Sequence, residues 1–240
     1  SGNSQTSSTV ASATTADTEM TINNAKMTFD ATTNGGTLNG TGTLYAKSGV
    51  ASLYTGIRNT TAGTIPLAGK AGWTWNGWYT ASSGGSKVIN TDRSVVASIA
   101  SWTDASKNWL RTADTTIYAQ YTINNPATPT ISGGATKVYG ASATTLTCTE
   151  GTTYASGTTK YYSFGYATSD GGTPGNWTTA GTLNTLSISA TAYVGQRWYS
   201  CRVYASGNSQ TSSTVTSATT ADTEMTINNA KMTFNATTNG

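Results

Sequence analysis

Histidine is absent from the sequence, and charged residues occupy only 10% of its 240 positions. The lack of histidine excludes Ser–His and Cys–His catalysis and the common metal triads. The ten carboxylates are dispersed along the chain, whereas glycosidase chemistry needs a pair facing one cleft. We therefore predict that the protein is not an enzyme and that it binds neither a cofactor nor a metal.

Clusters of basic residues are also absent, because the 13 lysines and arginines are scattered singly. A surface that binds nucleic acid or an acidic membrane would need such a cluster. No apolar run approaches the roughly 18 residues that cross a bilayer as a helix. We expect no nucleic-acid partner and no membrane insertion of this part of the chain.

Small hydroxyl residues dominate what is present, with 27 Ser and 52 Thr. Threonine and the 13 tyrosines favour strands, and the 26 glycines favour turns. Helix formers are scarce, and seven tryptophans argue against disorder. The composition predicts a mainly β protein and is typical of proteins outside the cell, either secreted or on the cell surface.

The two ends of the sequence are nearly identical. Residues 1–35 and 206–240 differ at only two of 35 positions, where Ala11 is replaced by Thr216 and Asp30 by Asn235. Such identity indicates a recent duplication with a period of 205 residues. We interpret the chain as one period of a tandem repeat plus a short overlap; the alternative is an engineered duplication of one end.

The tetrapeptide Thr-Ile-Asn-Asn divides this period, because it occurs at Thr21–Asn24, Thr122–Asn125 and Thr226–Asn229. The two intervals of about 100 residues match a common domain size. We interpret the tetrapeptides as module junctions. The predicted segments are a closing strand of a preceding module (1–24), a first module (25–124), a second module (125–228) and the start of the next repeat (229–240).

The second module contains the only two cysteines, Cys148 and Cys201. Each lies in an alternating stretch that predicts a strand, and further strands are predicted at Tyr162–Tyr166, Leu183–Ile188 and Ser212–Thr220. The 53-residue spacing of the cysteines, with Tyr199 two positions before the second, resembles the immunoglobulin-like sandwich.

That resemblance implies a disulfide between Cys148 and Cys201 that joins two sheets in an oxidising compartment. It also implies that Phe164 replaces the family's core tryptophan and that Tyr199 belongs to the core. The alternative, a redox or metal pair, lacks both the CxxC spacing and any histidine.

The first module resembles the Listeria–Bacteroides repeat of the internalin B-repeat type. The similar stretches, in order, are the opening strand and turn, an aromatic hairpin and a closing strand, at Met27–Ala31 with Asn34–Gly36, Gly72–Thr80 and Asp114–Tyr121. The resemblance implies a β-grasp-like fold, in which a small sheet packs on a helix. The helix candidate is Asp92–Trp102, where Val95, Ile99 and Trp102 fall at helical spacing.

Aromatic residues supply the expected core of the first module. Trp73 and Trp75 alternate with smaller residues, and Gly77 is the break that shifts the phase to Trp78 through a bulge. We expect Trp73, Trp75, Trp78 and Tyr118 to be structural. The alternative is that exposed tryptophans stack on sugars.

Residues 1–24 have the sequence of a closing strand without its own module. We expect this segment to pair with the immunoglobulin-like module of a neighbouring copy, or otherwise to pack Val10, Met20 and Ile22 onto the first module.

Three functional hypotheses follow from the sequence. The leading one is a structural or adhesive repeat of a cell-surface stalk or fibre, with neighbouring copies or other surface proteins as partners. The second is a module that binds glycans or a receptor through avidity. The third is a subunit of a self-assembling extracellular filament or sheath.

Overall fold

The computed structural model describes residues 24–56, 61–207, 219 and 223–229 in full, and the backbone of residues 3–6, 19–22 and 215–216. These residues form strands, turns and bends but no helix, so the protein is mainly β, as the composition predicted. Nor do they include a helix with the length and apolarity to span a bilayer. Two compact units are present, one built on Ser1–Thr122 and the other on Ile123–Thr153 and Thr158–Gly207 with the last strand.

Ten strands are described up to residue 123, and they range from two to nine residues in length. They are β1 (Asn3–Thr6), β2 (Glu19–Ile22), β3 (Asn24–Asp30), β4 (Thr37–Asn39), β5 (Thr43–Lys47), β6 (Leu53–Tyr54), β7 (Leu67–Gly69), β8 (Trp73–Tyr79), β9 (Lys87–Ile89) and β10 (Thr115–Ile123).

A six-stranded sheet in the order β6-β5-β3-β10-β8-β9 forms the body of the first unit. Its middle pair, β3 and β10, runs parallel, with Met27 opposite Thr115. Strand β3 alternates buried positions with partly or fully exposed ones, as a half-buried strand should. Met27, Leu44 and Ile117 are fully buried on the core face.

The predicted helix at Asp92–Trp102 is wrong. Arg93, Ser98 and Ser101 have φ values of 70°, 59° and 63°, which place them in the left-handed region and interrupt any α-helix. The cause is local: the Asp92 carboxylate accepts bonds from the Ser94 amide and hydroxyl, so the side chain competes with helical backbone bonding. The helical spacing of apolar residues arises here from successive tight turns.

Residues 3–6 and 19–22 form their own two-stranded antiparallel sheet, with Asn3 opposite Ile22 and Thr6 opposite Glu19. These two stretches of the N-terminal segment therefore pair with each other in this chain, whereas the sequence predicted pairing with a neighbouring copy or packing on the first module. Val10, on which the choice between the two expected packings depended, lies outside the described residues.

The second unit is a pair of sheets. Its strands are β11 (Thr130–Ser132), β12 (Thr136–Val138), β13 (Thr144–Thr149), β14 (Thr159–Ala167), β15 (Thr185–Ile188), β16 (Gly195–Ser206), β17 (Val215–Thr216) and β18 (Thr223–Asn228). One sheet has the order β11-β13-β15, and the other has the order β12-β18-β16-β14 with β17 also on β16.

The closing strand of this unit is β18, which pairs parallel with β12 and antiparallel with β16. Met225 and Ile227 of β18 are fully buried in the core. The strand predicted at Ser212–Thr220 lies mostly outside the described residues, and only Val215 and Thr216 within it form a strand.

Candidate functional site

Cys148 and Cys201 form a disulfide, with 1.98 Å between the sulfurs and 6.2 Å between the Cα atoms. Cys148 lies on β13 and Cys201 on β16, so the bond joins the two sheets of the second unit. Both residues are fully buried in one apolar cluster. The disulfide therefore crosslinks the centre of this core.

Phe164 and Tyr199 belong to the same buried cluster as this bridge. Phe164 lies opposite Cys201 on the neighbouring strand and is 3% exposed. Tyr199 is 4% exposed and its ring lies 5.6 Å from that of Tyr166. The structure thus places both predicted core residues inside the cluster that contains the disulfide.

Trp78 is the central aromatic residue of the first unit. It is fully buried, contacts the Phe29 ring edge-on at 5.0 Å, and donates a bond from Nε1 to the carbonyl oxygen of Pro66. Trp73 is also buried, while Trp75 and Tyr118 are half-buried. These last two therefore flank the fully buried core instead of lying within it.

Gly77 has the role that the aromatic spacing predicted. Its φ of 115° is left-handed, and the register between β8 and β9 shifts one residue later, between Trp78 and Tyr79. A Cβ at this position would approach the carbonyl oxygen of Ile89 to 2.4 Å. Glycine thus allows the irregularity that turns Trp78 into the core.

Lys70 is a buried residue that the sequence did not single out. Its ammonium lies 3.8 Å from the centroid of the Trp73 ring and donates a bond to the backbone oxygen of Asn34. Burial lowers the pKa of Lys70. The Tyr121 ring also faces this ammonium. Burial, and to a smaller extent the nearby charge of Asp30, raises the pKa of Tyr121 to about 12. The only sequence signal for this site is that Lys70 precedes an aromatic run, and this pattern is too common to be specific.

Arginine and tyrosine side chains stack on the surface of the second unit. The Arg197 guanidinium lies between the rings of Tyr166 and Tyr193, at 4.1 and 3.9 Å from their centroids. Arg202 stacks in the same way on Trp177 at 4.1 Å. Such cation–π contacts hold arginine side chains in fixed orientations.

An open cleft of about 350 Å³ lies beside this stack. We call it the arginine–tyrosine cleft; it is lined by Phe164, Tyr166, Thr178, Ser187, Arg197 and Tyr199. Its lining combines aromatic rings with hydroxyl and guanidinium groups. It is a concave feature of the second unit with the mixed chemistry of a ligand site.

Glu150 and Lys160 form an ion pair at 2.6 Å in the second unit, and the Glu150 side chain is fully shielded from solvent. The other carboxylate oxygen accepts bonds from the backbone amides of Ala127 and Thr152. Burial opposes ionisation, but the bonds from Lys160 and Thr152 outweigh it and lower the pKa of Glu150. The Glu150 carboxylate therefore links Ala127, at the start of the second unit, to Lys160 on β14.

The described residues contain no group of three or more acidic or cysteine side chains placed to hold a metal ion. What they define is a pair of β-units, one of them crosslinked by a disulfide. Comparison with protein-family models, with curated proteins and with solved structures found no match for this chain.

Proposed function

We propose that the protein is a non-catalytic structural and adhesive repeat of an extracellular stalk or fibre on the cell surface. The observation that carries the proposal is the near-identity of residues 1–35 and 206–240, which lie 205 residues apart at the two ends of the chain. A chain of such units separates its ends by a distance set by the number of repeats.

The position of the repeated segment supports a functional tandem array. Its copy at the end of the chain supplies β18, whose Met225 and Ile227 complete the core of the second unit. Its copy near the start supplies β3, whose Met27 and Phe29 are buried in the first unit. The segment thus encodes one strand of each unit, and a duplication of it continues the array in register.

The finer fold assignment is part of the proposal. A parallel pair of first and last long strands in mid-sheet supports a β-grasp-like first unit, although the described residues contain no helix. Two sheets joined by a disulfide at Cys148 and Cys201 support an immunoglobulin-like second unit. The disulfide also favours an oxidising, extracellular location.

Two measurements test the stalk. Antibodies against the folded protein should label intact source cells, and labelling that appears only after permeabilisation would contradict the proposal. Under force, the second unit should extend by about 180 Å more after reduction, because the disulfide withholds the 53 residues between its cysteines. An equal extension before and after reduction would show that the bridge bears no load.

A second candidate function is glycan binding, and the arginine–tyrosine cleft favours it. Aromatic faces stack on sugar rings, while the hydroxyl and guanidinium groups of Thr178, Ser187 and Arg197 match sugar hydroxyls. Glycan-array binding that Tyr166→Ala abolishes would support this function. Tyr161→Ala is the matched control, because Tyr161 lies on the same strand but outside the cleft. Equal binding by both variants, or no binding at all, would contradict it.

A further inference from the structure

Exposed apolar side chains are concentrated at the point where the chain leaves the second unit. Among the described residues, Val138, Tyr139 and Val194 are 50%, 46% and 53% exposed, although each is large and apolar. We call these three residues the exit patch. Neighbouring exposed apolar residues mark interaction surfaces more often than single ones do.

The strand register places the exit patch around the end of β18. Val138 is the Cα partner of Asn228, the last residue of β18, and the Tyr139 amide donates to the Asn228 oxygen at 2.8 Å. Val194 is on the other side of β18, since it precedes Gly195, the partner of Ile227. The patch therefore flanks the departing chain on both sides.

The sequence that follows β18 nearly repeats the sequence of β3. Asn229 is the counterpart of Asn24, the first residue of β3, so no residue separates the end of β18 from the start of the next first unit in a repeat array. Because the connection is this short, the next unit must lie against the end of β18. The entropic cost of forming a contact there is correspondingly small.

The first unit presents an apolar residue at its own entry end. Asn24 pairs with Lys47, and two residues later the Gly49 amide donates to the Trp109 oxygen at 2.8 Å. Leu110, which follows Trp109, is 41% exposed. Four of the five exposed large apolar side chains among the described residues thus lie at the two ends that a repeat would join; Leu183 is the fifth.

We propose that the exit patch is a docking surface for the first unit of the following repeat, and that it packs against the entry end near Leu110 of that unit. This inference rests on the proposed tandem-repeat function and names the partner surface. The junction between consecutive repeats is then a fixed contact instead of a free hinge, which gives the stalk its stiffness.

The test uses the whole chain extended after Gly240 by the sequence of residues 36–124. Gly240 is the counterpart of Gly35, so the extension completes a following first unit. One spin label is attached to a cysteine that replaces Asp170 in the second unit, and the other to a cysteine that replaces the copy of Ser83 in the added unit. The distance between the two labels reports how the second unit and the added unit are placed. A narrow distance distribution is expected.

The variant Val138→Asp with Val194→Asp should lose the narrow distribution, because two carboxylates cannot be desolvated in an apolar contact. Both positions are exposed, so the second unit should still fold, which its unchanged melting temperature would verify. Leu183→Asp is the matched control: Leu183 is 74% exposed but lies away from the exit. It should leave the distribution narrow.

A broad distribution in the unsubstituted extended chain, or one that the double variant leaves unchanged, would overturn the docking surface while leaving the repeat intact. Hydrogen exchange in the added unit separates this from a deeper failure. Without slow amides at the counterparts of Met27 and Ile117, the added sequence does not form a unit, which would overturn the proposed function and this inference with it.

Discussion

Phe164 and Cys201 face each other across β14 and β16, so a large aromatic ring lies beside the disulfide at the centre of the second unit. Both residues belong to the same buried apolar cluster of the second unit. The stability of the second unit should therefore depend strongly on the bridge.

Replacing both Cys148 and Cys201 by alanine should lower the free energy of unfolding of the second unit by about 4 kcal/mol, since the bridge closes a 53-residue loop. Hydrogen exchange measured unit by unit should show faster exchange of β13 and β16 and unchanged exchange of β3 and β10. Equal acceleration in the first unit would show that the two units do not unfold independently.

Gly77→Ala should destabilise the first unit by about 1–3 kcal/mol, because the φ of 115° is strained for alanine and the new Cβ meets the Ile89 oxygen. Gly56→Ala is the control, since a Cβ there meets nothing within 4 Å and its φ is not left-handed. Denaturant unfolding would compare them, and similar midpoints for both variants would contradict the role of Gly77.

Glu150 should make the second unit sensitive to acid. Its pKa is lower in the folded protein than the ordinary value of 4.5, so the folded state binds fewer protons than the unfolded state between these two values. The stabilisation is present above the ordinary value and is lost as the pH falls through the folded pKa.

In Glu150→Gln this part of the pH dependence should disappear, and stability at neutral pH should fall by about 1–2 kcal/mol through loss of a charge-assisted bond. Asp170→Asn removes the same charge from an exposed site of the same unit and should change neither property. Thermal unfolding from pH 3 to 7 is the measurement; identical profiles for the two variants would rule out the role of Glu150.

Trp109 should anchor the turn-rich segment that precedes β10. It is fully buried, its backbone bonds to Gly49 and Val50, and its Nε1 donates to the Ala51 oxygen at 3.0 Å. Trp109→Ala should cost about 3–5 kcal/mol.

Trp102→Ala, at a half-buried residue of the same segment whose ring stacks on Arg111, should cost clearly less. Unfolding of both variants in denaturant would test this ranking. If Trp102→Ala were the more damaging change, the segment would depend on the surface stack and not on its buried anchor.

Local sequence patterns were sufficient to predict many of the strands. Alternation around Cys148 and Cys201 predicted two strands, and β13 and β16 lie there. Alternation works because a strand has a side-chain period of two, whatever its partners are. The phase shift at Gly77 was visible for the same reason: a glycine that interrupts the period is a local signal of an irregularity.

The wrong helix prediction and the missed Lys70 site both involve contacts that a periodic pattern of apolar residues does not show. Val95, Ile99 and Trp102 have helical spacing, but the Asp92 carboxylate binds the Ser94 amide, and Thr103 donates to the Val96 oxygen. These bonds favour turns over a helix. Lys70 was missed because its burial depends on Trp73 and on the distant Asn34, which only the folded chain brings together.

The sequence by itself determined the mainly β character, the near-identity of residues 1–35 and 206–240 and the position of the cysteines, because composition and repetition need no knowledge of contacts. The tertiary structure decided which residues of those strands are buried and where the apolar surface remains. Val138 and Val194 are 56 positions apart in the sequence, and only the pairing of β12 and β16 with β18 brings them to the same end of the sheet. Such a surface is non-local, since it is created by strand register and not by neighbours along the chain.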